Sequence, residues 1–353
     1  MTKLNEEMDV KKIENIVKST IEKNAKMENK NTNPGYVITQ TRPSIEIYEQ
    51  SVKKIVLLKD IKQLLKLHKA YYKGYKNSRG LIGATASIAW LPIRDKTYEL
   101  IAYREEKKWG TDRIIDDKSV KRIDKQCPST FDNYDYKNKH NRITPNSPCP
   151  ILYGLRGDDV EELKKAFYIV KSEPVHSWII FETNQGTDDH LQKKKISEIK
   201  PYQSIIAEGI VIKNPYTIKG GHVIFTIGND STGKIDCVAY EPTKQFRNII
   251  RELFVGDLVE VYGSVREKPL AINIEKINIK NLIAMVEKLE NPVCPICGKH
   301  MKSKGKNQGY KCILCKIKSK KVVERKKVRN LIIGFYEVPV CARRHLSKPL
   351  KRF

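Results

Sequence analysis

Phe181-Glu182-Thr183-Asn184-Gln185-Gly186-Thr187-Asp188-Asp189-His190 follows the apolar run Trp178-Ile179-Ile180-Phe181, which is long enough for a buried strand. Amides, hydroxyls, carboxylates and an imidazole then succeed one another, interrupted only by Gly186. A strand that ends in such a cluster places polar side chains at one edge of a sheet, where α/β proteins usually bind ligands. The alternative is a solvated loop capped by Thr and Asp side chains. The pattern alone leaves both interpretations open.

The composition indicates a polyanionic partner. The 353 residues include 67 Lys/Arg and 41 Asp/Glu, which gives a formal net charge of +26. Such an excess is typical of nucleic-acid-binding proteins. Residues 293–353 alone contain 18 basic and two acidic residues, so the charge is concentrated near the C-terminus. The hydrophobic content of 40% is that of a globular protein.

No stretch of the sequence has the length of a transmembrane helix, and the first nine residues are too polar for a signal peptide. Of the eight cysteines, four form two close pairs and four are isolated. This spacing is typical of a metal site with separate thiols and differs from a secreted disulfide framework. We therefore expect a cytoplasmic protein that makes no contact with a membrane.

The first half, residues 1–199, alternates helical and strand patterns. It predicts an α+β region of ferredoxin-like type. Helices are expected at about 5–25, twice within 43–67, and from 158 to about 172; strands are expected at 36–39, 97–104 and 178–181. Residues 116–146 are polar and are expected to be mostly loop. The exposed first helix is an unusual start for such a domain and suggests that a segment precedes Met1.

Two segments of this half suggest contacts with phosphates or bases. Ser78 is expected to cap a helix through Trp90, and small residues with Arg79 at a helix N-terminus suit a phosphate. The alternative, which the spacing favours, is that Gly80 and Gly83 let the helix pack closely against a sheet. The second segment runs from Lys108 to Arg113 and includes Trp109, so it has a cation and an aromatic ring for a nucleotide.

The second region, residues 200–285, has the order of an OB-fold. Five strand patterns occur with one helical pattern, 243–253, between the third and the fourth, which predicts a five-stranded barrel. The strands are expected at 205–212, 222–227, 235–240, 258–265 and 271–279. OB-folds bind single-stranded nucleic acid, although a protein-binding or purely structural barrel is the alternative.

Gly228-Asn229-Asp230-Ser231-Thr232-Gly233-Lys234 matches most of a phosphate-binding loop. The next residue is Ile235, where that motif requires a hydroxyl for magnesium, and the segment joins two predicted strands. We therefore predict a hairpin turn here.

Cysteine spacing predicts a metal site in residues 290–320. Cys294 and Cys297 form one CxxC pair, Cys312 and Cys315 form another, and 14 residues separate the pairs. Two such knuckles complete a tetrahedral S₄ cage, so structural zinc is expected; an iron–sulfur cluster or a redox pair is the alternative. Four cysteine ligands leave no open position for catalysis. A basic segment, residues 321–353, follows and is expected to contact phosphates.

Several segments together resemble one family, the archaeal agmatidine synthetases that act on an isoleucine tRNA. The resemblance extends from about Asn33 to the C-terminus. The matching segments are Arg79-Gly80-Leu81-Ile82-Gly83-Ala84, Trp109-Gly110-Thr111, Ser147 to Gly154 with Arg156-Gly157, Thr183 to Leu191, Gly220-Gly221-His222-Val223, Ala239 to Thr243, the four clustered cysteines, and Ala342 to Pro349.

The resemblance implies a kinase-like domain, a ferredoxin-like domain, an OB-fold and a zinc ribbon. The implied reaction joins agmatine to C2 of the wobble cytidine with ATP and Mg²⁺, releasing AMP and phosphate, so that the tRNA reads AUA as isoleucine. The tRNA is expected to be held at its anticodon loop and its acceptor region.

The residue roles that follow from this resemblance are predictions. The expected catalytic residues are Arg156, Thr187, Asp188, Asp189 and His190. The expected ATP-binding residues are Arg79, Gly80, Gly83, Asn184, Gln185 and Gly186. The expected RNA-binding residues are Trp109, Arg113, Lys244, Arg247, Arg343, Arg344, His345 and Lys348. The expected zinc ligands are the four clustered cysteines.

One feature of the family is missing from this sequence. Its members usually open with a strand and an Asp-Asp-Thr-Asp-Ser loop, and no such sequence precedes Asn5. If the chain were complete, we would expect weak or no ATP-dependent activity, with zinc and tRNA binding retained. A non-enzymatic OB-fold and zinc-ribbon protein that binds tRNA or single-stranded nucleic acid is the alternative function, although it would leave the polar stretch after Phe181 without a purpose.

Overall fold

The N-terminal unit is a small mixed α/β structure. The computed structural model describes residues 9–229, 233–305, 308–320, 323–327 and 329–353. The first elements are α1 (Val10–Asn24), β1 (Gly35–Ile38), α2 (Ile45–Lys53), α3 (Leu58–Leu67), β2 (Tyr71–Gly74) and α4 (Gly80–Ala89). The strands β1 and β2 form an antiparallel ribbon, and Ile61, Leu65 and Leu81 form the buried core between the helices. The first four residues of the predicted first helix lie outside the described residues.

The next unit has ferredoxin-like topology. Its elements are β3 (Thr97–Arg104), α5 (Asp117–Gln126), β4 (Thr130–Phe131), β5 (Tyr134–Asp135), β6 (His140–Asn141), β7 (Ile151–Gly157), α6 (Val160–Ile169) and β8 (Val175–Thr183). The sheet order is β4-β7-β3-β8, and all its pairings are antiparallel. This is the βαββαβ arrangement of the predicted ferredoxin-like type. The inserted hairpin of β5 and β6 lies in a segment that was expected to be mostly loop.

The helix α5 corrects the prediction that residues 116–146 are mostly loop. Asp116 caps it by accepting hydrogen bonds from the backbone N–H groups of Lys118 and Ser119. Val120 and Ile123 are fully buried against the sheet. The sequence of α5 is mostly charged, and only a narrow apolar stripe indicates that one face is buried. The local composition therefore did not predict this helix.

The strand β8 corrects the prediction of a buried strand before the polar stretch. It lies at the edge of its sheet and pairs with β3. Trp178 and Ile179 are 39% and 45% exposed. An apolar run of this length fits both a buried and an edge strand, and only the sheet order decides between them.

The third unit is a closed OB-fold barrel. Its elements are β9 (Gln192–Lys193), β10 (Ser204–Thr217), β11 (Val223–Asn229), β12 (Gly233–Ala239), α7 (Phe246–Arg251), β13 (Leu258–Arg266) and β14 (Ala271–Asn281). The strand order is β11-β12-β14-β13-β10, and β10 also pairs with β11 to close the barrel. The strands β12 and β14 are parallel, and α7 lies between the third and the fourth barrel strands. The predicted OB-fold is confirmed.

The segment that begins at Gly228 and matches most of a phosphate-binding loop joins two paired strands, as predicted. Gly228 pairs with Lys234, and Asn229 with Gly233, in the antiparallel ladder of β11 and β12. Residues 230–232 lie outside the described residues. Both flanks are therefore strands, whereas a phosphate-binding loop would open a helix.

The C-terminal part contains the ribbon and a last barrel strand. Its strands are β15 (Met285–Glu290), β16 (Lys302–Ser303), β17 (Tyr310–Lys311), β18 (Lys318–Ser319), β19 (Val323–Lys327) and β20 (Gly334–Glu337). The strand β20 extends the barrel sheet by pairing with β14. Short 3₁₀ helices occur at Glu106–Lys108, Ile196–Glu198, Glu241–Thr243, Val340–Ala342 and Leu350–Arg352. Within the described ranges, no helix is long and apolar enough to cross a membrane.

Candidate active site and zinc ribbon

The polar loop, residues 184–190, leaves the end of β8 as a tight turn. The Thr187 hydroxyl donates to the Asn184 carbonyl at 2.7 Å, and the backbone N–H of Gln185 donates to the Thr183 hydroxyl at 3.0 Å. Gly186 and Asp188 both have positive φ values, +66° and +61°. An aspartate in this left-handed region needs surrounding contacts to hold it there.

Those contacts come from the barrel and from the C-terminal tail. The Asp188 carboxylate forms a 2.6 Å ion pair with Lys276 of β14, whose side chain is 0% exposed. Its other oxygen accepts the backbone N–H of Lys348 at 2.7 Å, and the Asp188 N–H donates to the Leu346 carbonyl at 2.8 Å. Both carboxylate oxygens are thus engaged within the protein, so Asp188 anchors the polar loop. Its predicted catalytic role stays a prediction.

His190 and Glu275 form a second buried contact between the polar loop and β14. The His190 Nε2 and Glu275 Oε1 atoms are 3.3 Å apart, and both side chains are about 95% buried. His190 Nδ1 and Glu275 Oε2 have no hydrogen-bond partner among the described residues. The imidazole is therefore enclosed at the junction between the ferredoxin-like unit and the barrel.

Asp189 and Asn184 instead turn toward the N-terminal unit, where both contact Tyr48. The Tyr48 hydroxyl donates to Asp189 Oδ2 at 2.8 Å, and the Asn184 amide donates to the same hydroxyl at 2.8 Å. Burial raises the pKa of Tyr48 well above its ordinary value of 10, and the hydrogen bond to Asp189 raises it further. Tyr48 is therefore a neutral donor that positions two residues of the polar loop. It lies 136 residues before Asn184, and the sequence analysis missed it.

A cleft of about 640 Å³ opens beside Tyr48. Its walls come from α2, from α4 and from the end of β8. Trp90 and Tyr48 form an aromatic corner, with ring centroids 6.3 Å apart and planes tilted by 53°. Polar groups enter from Arg42, Glu182, Thr183 and Asn184, while Gly83, Ala86 and Ser87 form a wall of small residues. The cleft has the size and the mixed lining of a small-molecule site.

The start of α4 corrects the predicted Ser78 cap. Ser78 has a φ of +60°, and the helix begins at Gly80 after Arg79 without a side-chain cap. A Cβ atom on Gly80 would lie 2.5 Å from the Asn33 carbonyl oxygen, so this glycine permits close packing against the residues before β1. A Cβ atom on Gly83 would meet no atom within 4 Å. The two predicted ATP-binding glycines are thus in different environments, one packed and one open to the cleft.

Arg156 belongs to a polar network on the sheet surface next to the polar loop. Its Nε donates to Glu99 at 3.1 Å, and the Gln185 amide donates to the other oxygen of Glu99. Its Nη2 lies 3.0 Å from His345 Nδ1. Part of the His345 ring stays exposed, but burial of the rest and the charge of Arg156 lower the pKa of His345 below 6.5. Glu99, which sequence reasoning missed, connects two predicted site residues.

Some of the predicted RNA-binding residues make contacts within the protein, and the others are exposed. Arg113 donates to four backbone carbonyls between Pro145 and Ile151, and Arg343 is paired with Asp132 and Glu337. The other engaged cations are Lys244, paired with Glu241; Arg247, bonded to Gly221 and Glu241; and Lys348, paired with Asp95 at 2.8 Å. Trp109, Arg344 and His345 are exposed. The structure thus uses several of these cations internally, and their contacts with RNA stay predictions.

The four clustered cysteines form a compact sulfur cage. All four sulfur atoms lie within 4.8 Å of one another, and the sulfurs of Cys297 and Cys312 are 3.6 Å apart. A tetrahedral zinc site with bonds of about 2.3 Å requires sulfur separations of about 3.8 Å. Gly298 and Lys316, which follow the second cysteine of each pair, both adopt positive φ. The two knuckles therefore have matching turns, and the donor set fits a structural zinc ion.

Family models match three separate parts of the chain. The TiaS FLD domain matches residues 78–190, the OB-fold nucleic acid binding domain matches residues 205–280, and the TiaS C-terminal zinc ribbon domain matches residues 291–331. The three matches cover the ferredoxin-like unit with the polar loop, the barrel and the cysteine cage, respectively.

Curated proteins and solved structures resemble the chain over nearly its whole length. The isoleucine-tRNA 2-agmatinylcytidine synthetase TiaS of Methanocaldococcus jannaschii is 48% identical over 355 residues, which cover 97% of this chain and 82% of that protein. The corresponding synthetase of Archaeoglobus fulgidus is 42% identical over 98% of this chain and 82% of its own length. The crystal structure of TiaS in complex with its isoleucine tRNA and ATP superposes with a TM-score of 0.89 at 40% identity, covering 98% of this chain and 82% of that one. The chain belongs to the TiaS family of isoleucine-tRNA 2-agmatinylcytidine synthetases.

Proposed function

We propose that this chain catalyses the ATP-dependent joining of agmatine to C2 of the wobble cytidine in an isoleucine tRNA. The observation that carries the proposal is the family match, which runs in one order through the ferredoxin-like unit, the barrel and the ribbon. Relatives of this family have been crystallised with their isoleucine tRNA and ATP, and with the same tRNA, AMPCPP and agmatine. The product would read the AUA codon as isoleucine.

The cleft beside Tyr48 supports the binding of agmatine, a chain with an amine at one end and a guanidinium at the other. Guanidinium groups stack on aromatic faces and bind carboxylates. Trp90 and Tyr48 provide the aromatic corner, and Glu182 is among the residues that line the same cleft. Glu182 is already paired with Lys96 at 2.6 Å. Its carboxylate has a second oxygen that a guanidinium can contact.

The polar loop supports the handling of ATP with Mg²⁺. Magnesium prefers carboxylate oxygens together with phosphate oxygens. Asp189 gives one oxygen to Tyr48, and among the described contacts its other oxygen has no protein partner, which leaves it available as a ligand. Asp188 lacks such an oxygen because Lys276 and Lys348 occupy both. Of the two adjacent aspartates, Asp189 therefore fits a metal or agmatine better.

The barrel and the ribbon support the binding of tRNA. OB-fold barrels bind single-stranded nucleic acid, and the anticodon loop presents unpaired bases. The zinc ion would hold the ribbon through Cys294, Cys297, Cys312 and Cys315 without entering the reaction. A cytoplasmic location is part of the proposal, because a tRNA substrate and eight cysteines, none of them in a disulfide among the described residues, fit a reducing compartment.

The test is agmatine incorporation into a transcript of the isoleucine tRNA with ATP, compared with a transcript that carries uridine at the wobble position. Incorporation into the first transcript alone is expected. Tyr48→Phe should reduce turnover between about 5-fold and 150-fold, because removing the hydroxyl leaves Asp189 and Asn184 without their shared partner, at a cost of about 1–3 kcal/mol. Affinity for tRNA should not change.

A matched control is available for that variant. Tyr136 also donates a 2.8 Å hydrogen bond to an aspartate, Asp124, but on the exposed surface of the ferredoxin-like unit. Tyr136→Phe should leave turnover unchanged. Binding of tRNA without any incorporation of agmatine would contradict the proposal and favour the non-enzymatic tRNA-binding alternative.

A further inference from the structure

A second pocket, of about 370 Å³, lies at the far end of the ferredoxin-like sheet from the polar loop. Thr97 at the start of β3 pairs with Thr183 beside the loop, whereas Arg104 at its end pairs with Val175. The pocket opens at this second end, between Tyr103, Trp109, Pro150 and His176. The proposed reaction does not use it.

The segment that carries Trp109 is rigidly anchored. Arg104 is fully buried and forms a two-pronged ion pair with Glu173 at 2.7 and 3.1 Å. The same guanidinium donates to the carbonyls of Thr111 and Asp112 at 2.7 and 2.9 Å. A planar guanidinium with this many partners fixes the surrounding backbone. The loop that leads from β3 is therefore held in a single arrangement.

Within that rigid loop, Trp109 is exposed, and a hydrogen bond to the backbone fixes the orientation of its ring. Its indole N–H donates to the Arg104 carbonyl at 3.3 Å, yet 46% of the residue remains accessible. A buried tryptophan would stabilise the core, whereas this one presents a ring to solvent from a fixed support. Preorganised aromatic surfaces are typical of sites that stack on a planar ligand.

We propose that this pocket binds one unpaired base of the tRNA that carries an exocyclic amino group. This inference rests on the proposed function, since the tRNA is the proposed substrate. Trp109 stacks on the base, with Tyr103 and Pro150 as further walls, and the Glu106 carboxylate at the pocket wall accepts a hydrogen bond from the amino group. Uracil has no amino group and presents two carbonyls to that carboxylate, so it is disfavoured.

The charge near the pocket fits a nucleotide. Lys107 and Lys108 follow Glu106 in the 3₁₀ turn that leads to Trp109, so two cationic residues directly precede the stacking residue in the chain. Lys107 is 74% exposed and shares its charge with Glu105 at 2.7 Å. Sites that bind single-stranded nucleic acid combine basic residues, which contact the backbone, with aromatic rings on which bases stack.

The test measures the affinity of the full chain for a transcript of the isoleucine tRNA. Trp109→Ala should weaken binding between about 5-fold and 150-fold, the range of base–aromatic stacking. The slope of log affinity against log salt should not change, because the indole neutralises no phosphate. Trp109→Phe keeps an aromatic face and should stay close to wild type. Tyr168→Ala is the matched control, because Tyr168 is 79% exposed on α6 and lies outside the pocket.

Base preference is tested with the tetranucleotides rA4, rC4 and rU4 through tryptophan fluorescence. Wild type should bind rA4 and rC4 more tightly than rU4, and Glu106→Ala should reduce that difference. Equal affinities of the three tetranucleotides for wild type, or tRNA affinity of Trp109→Ala equal to that of wild type, would overturn the inference. These assays need no turnover. A chain that fails to incorporate agmatine but shows these binding effects would refute the proposed reaction and leave this inference standing.

Discussion

The ion pair between Asp188 and Lys276 gives a sharp test of how the polar loop is held. The two side chains are 2.6 Å apart, and the lysine is fully buried. The lysine also lies against aromatic rings, with its Nζ 4.6 Å from the centroid of Phe353 and 5.4 Å from that of Tyr262. Replacing Lys276 by Met keeps most of its volume but leaves the Asp188 carboxylate without its cation.

The expected cost follows from burial. Removing one partner of a buried pair typically costs about 3–5 kcal/mol, because the remaining charge stays uncompensated. Asp188→Asn should cost a similar amount, since it leaves an ammonium in an apolar environment. The double variant should lose less than the sum of the two single variants, by about 1–3 kcal/mol, because it buries no unpaired charge.

The measurement is urea unfolding followed by circular dichroism, with hydrogen exchange of residues 184–190 as a local readout. The control is the pair Lys164–Glu161, which has almost the same separation, 2.7 Å, but lies on the exposed surface of α6. Lys164→Met should change stability by less than about 1 kcal/mol. If Lys276→Met costs no more than Lys164→Met, or if the single effects simply add, burial does not determine the strength of this pair and the loop is held in another way.

Three further predictions concern the ribbon, a histidine and a helix. The chain should contain one zinc ion, and Cys312→Ser should release it, as a colorimetric zinc assay can measure. The pKa of His345 measured by NMR should lie below 6.5 and rise toward 6.5 in Arg156→Ala; because the folded-state pKa is lowered, stability from this group is present above pH 6.5 and is lost as the pH falls through the folded value. Gly80→Ala should destabilise the N-terminal unit by about 1–3 kcal/mol through a backbone clash, whereas Gly83→Ala should be neutral or stabilising by up to about 1 kcal/mol, as thermal unfolding can show.

The barrel and the metal site could be predicted from the sequence because their signals are local. Alternation over five short segments, with one helix between the third and the fourth, is specific to few folds. The spacing of two CxxC pairs reflects the geometry of four thiolates around one ion. Neither signal depends on how distant parts of the chain pack, so the structure agrees with both predictions.

The helix α5 and the strand β8 were mispredicted for the opposite reason. The burial of Val120 and Ile123 depends on a sheet assembled from segments far apart in the sequence. The edge position of β8 follows from β3 occupying a central place between β7 and β8. Composition within a short window does not contain this information, so tertiary packing overrode the local pattern.

The polar loop could be identified from the sequence as a candidate site, but the different contacts of its two aspartates could not. The polar loop contains two adjacent aspartates that look equivalent in the sequence. Folding places Asp188 against a lysine 88 residues away and Asp189 against a tyrosine 141 residues away. One carboxylate therefore anchors the loop to the barrel, and the other lies beside the cleft. Asp188 also has a positive φ, and both partners lie far away in the sequence, so no local pattern distinguishes the two aspartates.

The same junction changes the meaning of the basic C-terminus. Its charge suggested a surface for phosphates, but Arg343, Lys348 and Arg352 form ion pairs within the protein. Their partners are Asp95, Asp132, Asp158 and Glu337. Lys351 donates to the Thr130 carbonyl. Together with the backbone hydrogen bonds that the carbonyls of His345 and Leu346 accept from the polar loop, these contacts hold the C-terminal tail against the polar loop and the ferredoxin-like unit. The net charge of the sequence includes these cations, although acidic side chains neutralise them within the protein. It therefore overstates the positive charge that is available to RNA. These paired cations of the tail therefore add little to the attraction of tRNA, whereas the exposed Arg344 stays available to a phosphate.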